Sequence, residues 1–196
     1  MNSTLDLEEV LDLVARKVAD ALRTEACFVY LYDERTNELI LRATHGTSVE
    51  EMTKRPRMRP GEGITGTAAA DRAPVMIPSQ AHLDPRFKQF ANLSEDAYES
   101  ILAVPILARD SLAGALNVRT LEPREFTQDE IELLVAIADQ VSQTIQHAQL
   151  YAQAQSRVAE LEALAKISEA VSESLYLEES LEPAGAGATR RSAGCS

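Results

Sequence analysis

Apolar residues near the start of the chain fall at Leu7, Val10, Leu11, Val14, Val18 and Leu22, the three-and-four spacing of a single helical stripe. Asp6-Leu7-Glu8-Glu9 supplies a capping signal, so the pattern predicts an amphipathic helix over residues 7–23. The period then changes. Residues 26–32, Ala-Cys-Phe-Val-Tyr-Leu-Tyr, are aromatic and β-branched, 33–37 carry turn chemistry and 39–44 resume an apolar strand, which together read as a β-hairpin. The first strand is apolar nearly throughout, as expected where both faces are covered. A glycine-punctuated turn, Gly61-Glu62-Gly63-Ile64-Thr65-Gly66, delivers the chain into a short helix, and Pro74 to Ile77 is a short strand. The loop from Pro78 to Glu95 carries two aromatics, Phe87 and Phe90, which a solvated loop does not need, so they are expected to fold inward as a lid. Residues 98–107 and 112–120 form a second hairpin around Arg109-Asp110-Ser111.

From Phe126 to about Leu175 no Gly or Pro interrupts the chain, and Thr127-Gln128-Asp129-Glu130 has the form of a capping box. One long helix is predicted, spanning roughly 70 Å at about 1.5 Å per residue. Ile131, Leu134, Ala138, Val141, Ile145 and Ala148 follow a heptad spacing and form the expected dimerisation seam. The register falters over residues 151–156, and an apolar series resumes at Val158, Leu161, Leu164, Ile167 and Val171. The element order gives an α+β domain with a mainly antiparallel sheet. The domain is expected over residues 1–125, with 126–150 packing back as its last helix and 151–182 as a helical stalk.

Composition narrows the function classes. The chain has 196 residues, 45% of them hydrophobic, enough for one good core beside such a helix. Its net charge of −12 argues against direct nucleic-acid contact or an anionic membrane surface. No apolar run is long enough to cross a bilayer and no leader-like segment opens the chain, so a cytoplasmic location is expected. Two cysteines, Cys27 and Cys195, make neither a disulfide framework nor a metal site, and Cys27 sits in an apolar strand, the setting of an inert thiol. Lys54, Arg55, Arg57 and Arg59 form a basic cluster that a solvated edge strand or loop explains. The turn at residues 61–66 lacks the Lys-Ser/Thr ending of a phosphate loop, although free N–H groups at such a helix start can bind an anion.

Several of these pieces, in order and spacing, resemble the GAF domain, the small-molecule sensory module of many signalling and transcription-regulatory proteins. They are Gly61 to Gly66, Pro74-Val75, Asp84-Pro85-Arg86-Phe87, Ser100 to Ile106, Gly114-Ala115-Leu116 and the run from Phe126 to Val141. The resemblance covers about residues 5–150. It implies a profilin- and PAS-related α+β fold: a central antiparallel sheet with helices on both faces, a ligand pocket under the loops between residues 46 and 98, and a long C-terminal signalling helix that pairs with a second subunit. Candidate pocket residues are Ile64, Thr65, Phe87, Phe90, Tyr98 and Arg119, the last if it turns inward toward an anionic ligand.

The better-defined GAF ligands leave residue-level marks. No cysteine lies between residues 28 and 194, which speaks against a covalent bilin and against the cysteine-based reduction of free methionine sulfoxide. The Asn-Lys-x-Asp-type signature of cyclic-nucleotide binders is absent, and of the three histidines only His82 lies where it could face a pocket. No nucleophile, base and orienting partner assemble from motifs. The expected function is therefore a non-catalytic sensory and dimerisation module, with no metal and an unidentified ligand. The alternatives are a ligand-free GAF spacer and a small-molecule-modifying enzyme. Leu5-Asp6-Leu7-Glu8-Glu9-Val10-Leu11 recurs as Leu175-Tyr176-Leu177-Glu178-Glu179-Ser180-Leu181, with five identities in seven, as though a second module begins there. Residues 183–196 lose all pattern and are expected to be a disordered tail, and the chain is expected to be the N-terminal sensory piece of a longer protein.

Overall fold

A computed structural model describes residues 3–46, 55–88, 98–109 and 111–180 of the chain. Helix α1 (Ser3–Leu22) leads into strands β1 (Ala26–Asp33), β2 (Glu38–His45) and β3 (Arg57–Met58). Helix α2 (Gly63–Asp71), strand β4 (Val75–Ile77), a 3₁₀ turn (Ala81–Leu83), strands β5 (Ser100–Ala108) and β6 (Ser111–Thr120) and helix α3 (Gln128–Ser180) follow. The strands form one sheet in the order β3-β2-β1-β6-β5-β4, with every neighbouring pair antiparallel. This is the α+β architecture expected of the sequence. The segments 47–54 and 89–97, the latter with Phe90, lie outside the described residues, as do Lys54 and the tail from Leu181.

Alternation along the strands sorts side chains between the two faces of the sheet. Cys27 and Val29 of β1, Leu116 and Val118 of β6, and Leu102, Val104 and Ile106 of β5 join one apolar cluster with Leu11, Val18 and Leu22 of α1 and Leu134, Ala138, Val141 and Ile145 of α3. The residues between them turn the other way. Phe28, Tyr30 and Ala115 pack with Met58, Ala69 and Tyr98, while Ile101 and Ala103 pack with Ile64, Ala68, Ile77 and Ala81. Strand β2 serves both faces because its register shifts: Val29 pairs with Ala43 but Tyr30 with Leu41, leaving Arg42 over. That bulge sends Ala43 to the α1/α3 face and Leu39 and Leu41 to the α2 face.

Two boundaries differ from the sequence expectation. Helix α1 begins at Ser3, so Asp6 lies inside its first turn instead of capping it. Strand β3 is only two residues long and pairs Met58 with Leu39, taking up part of the basic cluster. There Arg57 pairs with Glu38 at 3.1 Å and Arg55 with Glu8 at 3.0 Å, in keeping with the solvated edge strand or loop expected of the basic cluster.

Helix α3 starts on the capping box read from the sequence. The Thr127 N–H donates to the Glu130 carboxylate at 2.9 Å and the Glu130 N–H donates to the Thr127 hydroxyl at 3.3 Å. Bonding to the Thr127 N–H, and then to Arg124, holds the Glu130 carboxyl below the usual carboxylate range. The heptad seam has a different role from the one expected. Leu134, Ala138, Val141 and Ile145 are each at most 3% exposed, covered by the chain's own sheet, and Ile131 packs against the same cluster. A stripe apolar enough to hold a partner helix is equally suited to a sheet, so its spacing alone did not identify the surface it meets.

Contacts divide the chain into a unit of Met1–Tyr151 and one of Ala152–Ser196. Within the second, Val158, Leu161, Leu164 and Ile167 are 55–65% exposed, and Arg157 pairs with Glu160 at 3.2 Å along the helix.

Candidate functional site

The α2 face of the sheet carries the polar residues that a core does not need. Its local scaffold begins at the turn into α2, where Gly63 takes a φ of +72°, a left-handed conformation natural to glycine. Gly66 approaches so closely that a Cβ there would lie 2.6 Å from the Arg59 carbonyl. The glycines thus let the first turn of α2 pack down beside the strand end at Met58. Glu62, at the N-cap position, makes no side-chain cap bond. Its carboxylate accepts instead from the Arg59 N–H at 2.9 Å and pairs with Lys88 Nζ at 2.6 Å. Lys88 first, and then the Arg59 N–H, draw the Glu62 carboxyl below its ordinary range.

Ile64 and Thr65, both expected at the site, are buried on this first turn of α2. Thr65 is joined to the sheet: Asn117 Nδ2 donates to its hydroxyl at 2.8 Å, and Arg119 Nε donates to Asn117 Oδ1 at 3.2 Å. Both Asn117 and Arg119 are buried, at 0% and 4% exposure, on the face of β6 that carries neither Leu116 nor Val118. The Arg119 guanidinium lies over the Phe28 ring, 4.3 Å from its centroid, and 5.6 Å from that of Tyr98. Arg119 therefore does turn inward. Tyr98 is buried beside it, its hydroxyl donating to the Gly46 carbonyl at 3.5 Å.

These groups meet at a recess of about 260 Å³ counting its open mouth. Gly63, Ile64 and Thr65 form one wall, Ile101 and Arg119 its floor on the sheet, and Met58, Phe87 and Lys88 its rim. Its enclosed part has room for at most about one water molecule. Half-buried Phe87 packs against the cluster of Ile64, Ile77 and Ile101, the inward fold expected of the lid. Of the six expected pocket residues, Ile64, Thr65, Phe87 and Arg119 line this recess, Tyr98 stacks behind Arg119, and Phe90 lies outside the described residues.

Asn117, Phe28, Met58 and Lys88 were not singled out from the sequence. Asn117 had a signal: Leu116-Asn117-Val118-Arg119 places two polar residues two apart, hence on one face of a strand whose other positions are apolar. Met58 and Lys88 had none, since each reaches the recess through the tertiary approach of an edge strand or a loop.

The lid turn is held by its own charges. Arg86 donates from Nε and Nη2 to both carboxylate oxygens of Asp84, each at 2.9 Å, and this pairing holds the Asp84 carboxyl below its usual range. His82 is exposed on the 3₁₀ turn before it. Among the described residues no three His, Cys, Asp or Glu side chains are placed to hold a metal ion. Cys27 lies on the opposite face of the sheet from the recess, and burial pushes its thiol far up. No helix among the described residues is long and apolar enough to cross a membrane.

Comparisons agree with this architecture. Residues 4–146 match the model of the GAF domain. The phosphoenolpyruvate-dependent phosphotransferase system protein of Escherichia coli is 30% identical over 74% of this chain and 19% of its own length. The nitrogen fixation protein AnfA of Azotobacter vinelandii is 28% identical over 72% of this chain and 27% of its own length. The chain thus spans about a fifth to a quarter of the curated relatives it matches. Among solved structures, the GAF domain of a phosphoenolpyruvate-protein phosphotransferase from Coxiella burnetii matches with a TM-score of 0.69 and 30% identity, covering 75% of this chain and 86% of that one. A free methionine-R-sulfoxide reductase from Neisseria meningitidis, at 20% identity and a TM-score of 0.62 over 74% of this chain and 81% of that one, shares the fold alone. With a matched model over most of its length and a sheet whose two faces are divided as described, the chain belongs to the GAF domain family.

Proposed function

We propose that this chain is a non-catalytic sensory and dimerisation module that takes a small ligand in the recess beneath the 46–98 loops and relays occupancy through its terminal helices to an output domain. The observation that carries the reading is the buried run Thr65–Asn117–Arg119, which joins the wall of the recess to a central strand. Even when hydrogen-bonded, a buried polar run of this kind adds little stability over well-packed apolar residues of the same size, so its presence suits a purpose beyond packing. Beyond the end of β6, Arg124 supplies a mechanical link. Its N–H donates to Ser100 Oγ at 2.7 Å, while its guanidinium donates to the Leu22 carbonyl at 2.8 Å and the Arg23 carbonyl at 3.1 Å and pairs with Glu130. One side chain thus ties the end of α1 to the start of α3. A ligand acts through such a joint only if it binds two helix arrangements with different affinity.

Dimerisation is assigned to positions left uncovered, Val158, Leu161, Leu164 and Ile167, since most of the earlier seam is used within the chain. Four exposed aliphatic residues on one helical segment suit a second copy of the same helix. The output is proposed to lie downstream of the long helix, with a kinase, a cyclase or a DNA-binding regulator as candidates, and the location to be cytoplasmic with no direct nucleic-acid contact. Catalysis is not part of the proposal: the reductase chemistry that its structural neighbour is named for would need cysteines at the recess, and Cys27 faces away. A second reading, a ligand-free dimerising spacer, draws on Phe87 and the little enclosed room beside it. Native mass spectrometry of the protein purified from cells separates the two. A dimer with a reproducible added mass that vanishes on denaturation is expected, a bare dimer favours the spacer, and a bare monomer contradicts the account of the helix.

A further inference from the structure

The lining residues of the recess other than Phe87 and Lys88 all belong to α2 or to paired strands, so the turn at 84–88 is the part of its wall that can yield without breaking a helix or the sheet. That turn is stapled to itself. Arg86 grips both carboxylate oxygens of Asp84, and the Phe87 N–H closes back on the Asp84 carbonyl at 2.8 Å. Its near end is fixed to the sheet, where the Ala81 N–H donates to the Glu99 carbonyl at 3.0 Å and the Gln80 N–H to the Glu99 carboxylate at 2.9 Å. Its other end reaches across the mouth of the recess. There Lys88 Nζ meets the Glu62 carboxylate at 2.6 Å and donates to the Arg57 carbonyl at 3.2 Å, tying the turn to the start of α2 and to β3. Gly63 lets it seat closely, since a Cβ on that glycine would lie 3.1 Å from the Lys88 Cβ.

With room inside for at most about one water molecule, the recess as it stands admits nothing larger unless part of its wall moves. We infer that residues 84–88 are a flap over the recess and that the Lys88–Glu62 ion pair is the latch that biases it shut. The inference rests on the proposed sensory function and deepens it, naming what controls entry to the same site. The pair is weak enough to be opened. Its side chains are 27% and 46% exposed, and an ion pair that water reaches changes an equilibrium by about two- to five-fold, less as salt screens it. Phe87, packed against the cluster of Ile64, Ile77 and Ile101, supplies the rest of the closing force. The open fraction is therefore adjustable through a charge pair that a single substitution removes.

Thiol labelling tests the latch without a ligand. In the whole chain, dialysed free of small molecules and carrying Cys195→Ser, the change Thr65→Cys places one thiol on the wall of the recess. Cys27, fully buried on the opposite face of the sheet, reports unfolding in the same sample. Labelling by iodoacetamide, read by mass spectrometry and normalised to the denatured chain at the same salt, follows the open fraction when closing is fast. Glu62→Gln and Lys88→Met should each speed labelling of the introduced thiol about two- to five-fold without changing Cys27. Glu62→Gln should add nothing once Lys88→Met is present. Raising the salt should bring the parent rate up toward that of the variants and leave the Lys88→Met rate where it is. Met58→Cys, at the rim, carries the probe if Thr65→Cys fails to fold. Unchanged rates in both charge variants, gains that simply add, a parent rate indifferent to salt, or acceleration at Cys27 in step with the introduced thiol would each overturn the latch. The sensory reading fails on a different result, a protein from cells that carries no added mass, whatever the labelling rates show.

Discussion

The two faces of the sheet are built on opposite principles. Against α1 and α3 the sheet presents Val29, Leu102, Val104, Ile106, Leu116 and Val118, nearly all aliphatic, and the helices answer with residues of the same kind. Against α2 the same strands present Asn117 and Arg119 among aromatic and small residues, with a recess between helix and sheet. Both faces are largely buried, so burial does not separate them. What separates them is that one face contributes to stability through area removed from water, while the other spends buried polar groups on holding a shape.

The largest effect should come from breaking the first face. Leu134→Ala removes a fully buried side chain from the α1/α3 core and should destabilise the chain by about 2–5 kcal/mol in chemical denaturation. Any bound ligand should be retained by the fraction that remains folded. A loss of ligand without loss of stability would blur the division between the faces.

The second face should respond in the reverse sense. Replacing the polar run outright, as Thr65→Val with Asn117→Leu and Arg119→Met, exchanges buried hydrogen-bonded groups for apolar ones of similar size, often close to neutral or even stabilising. The expected result is a melting temperature within roughly 5 °C of the parent, about 1 kcal/mol for a domain of this size, with ligand binding abolished. Asn117→Ala alone should cost more, about 1–3 kcal/mol, since it leaves Thr65 and Arg119 without a bond each now makes.

Charging the exposed stripe tests the second unit by itself. Leu161→Asp with Leu164→Asp should convert a dimer to a monomer in light scattering while leaving the melting of residues 4–146 unchanged. The smallest effect concerns pH. Glu62, Asp84 and Glu130 all bind their protons less tightly folded than unfolded, so the stability they contribute is whole above the ordinary carboxylate range and drains away as pH falls below it. Denaturation midpoints should decline from pH 6 to pH 3, and Glu130→Gln should flatten part of that decline.

Legibility in the sequence followed the same division. Regular periods gave α1, both hairpins and the long helix, because apolar spacing reports directly on one-sided burial. The capping box at Thr127 was readable to its individual bonds, being a local interaction across three residues. The seam at Leu134 to Ile145 was legible as a buried stripe but not as to what buries it. On the α2 face, Thr65 could be named from the glycine-punctuated helix start and Arg119 only on condition that it turned inward, whereas Met58 and Lys88 came from distant segments that meet only in the fold.

Hydrogen–deuterium exchange measures the two faces side by side. The protein as purified from cells would be compared with the same protein denatured, dialysed and refolded. The account predicts that removing the endogenous small molecule raises exchange in residues 61–71, 81–88 and 115–120, around the recess, while residues 10–22 and 131–145 keep their protection. Unchanged exchange around the recess, or a loosening confined to the α1 and α3 core, would contradict it.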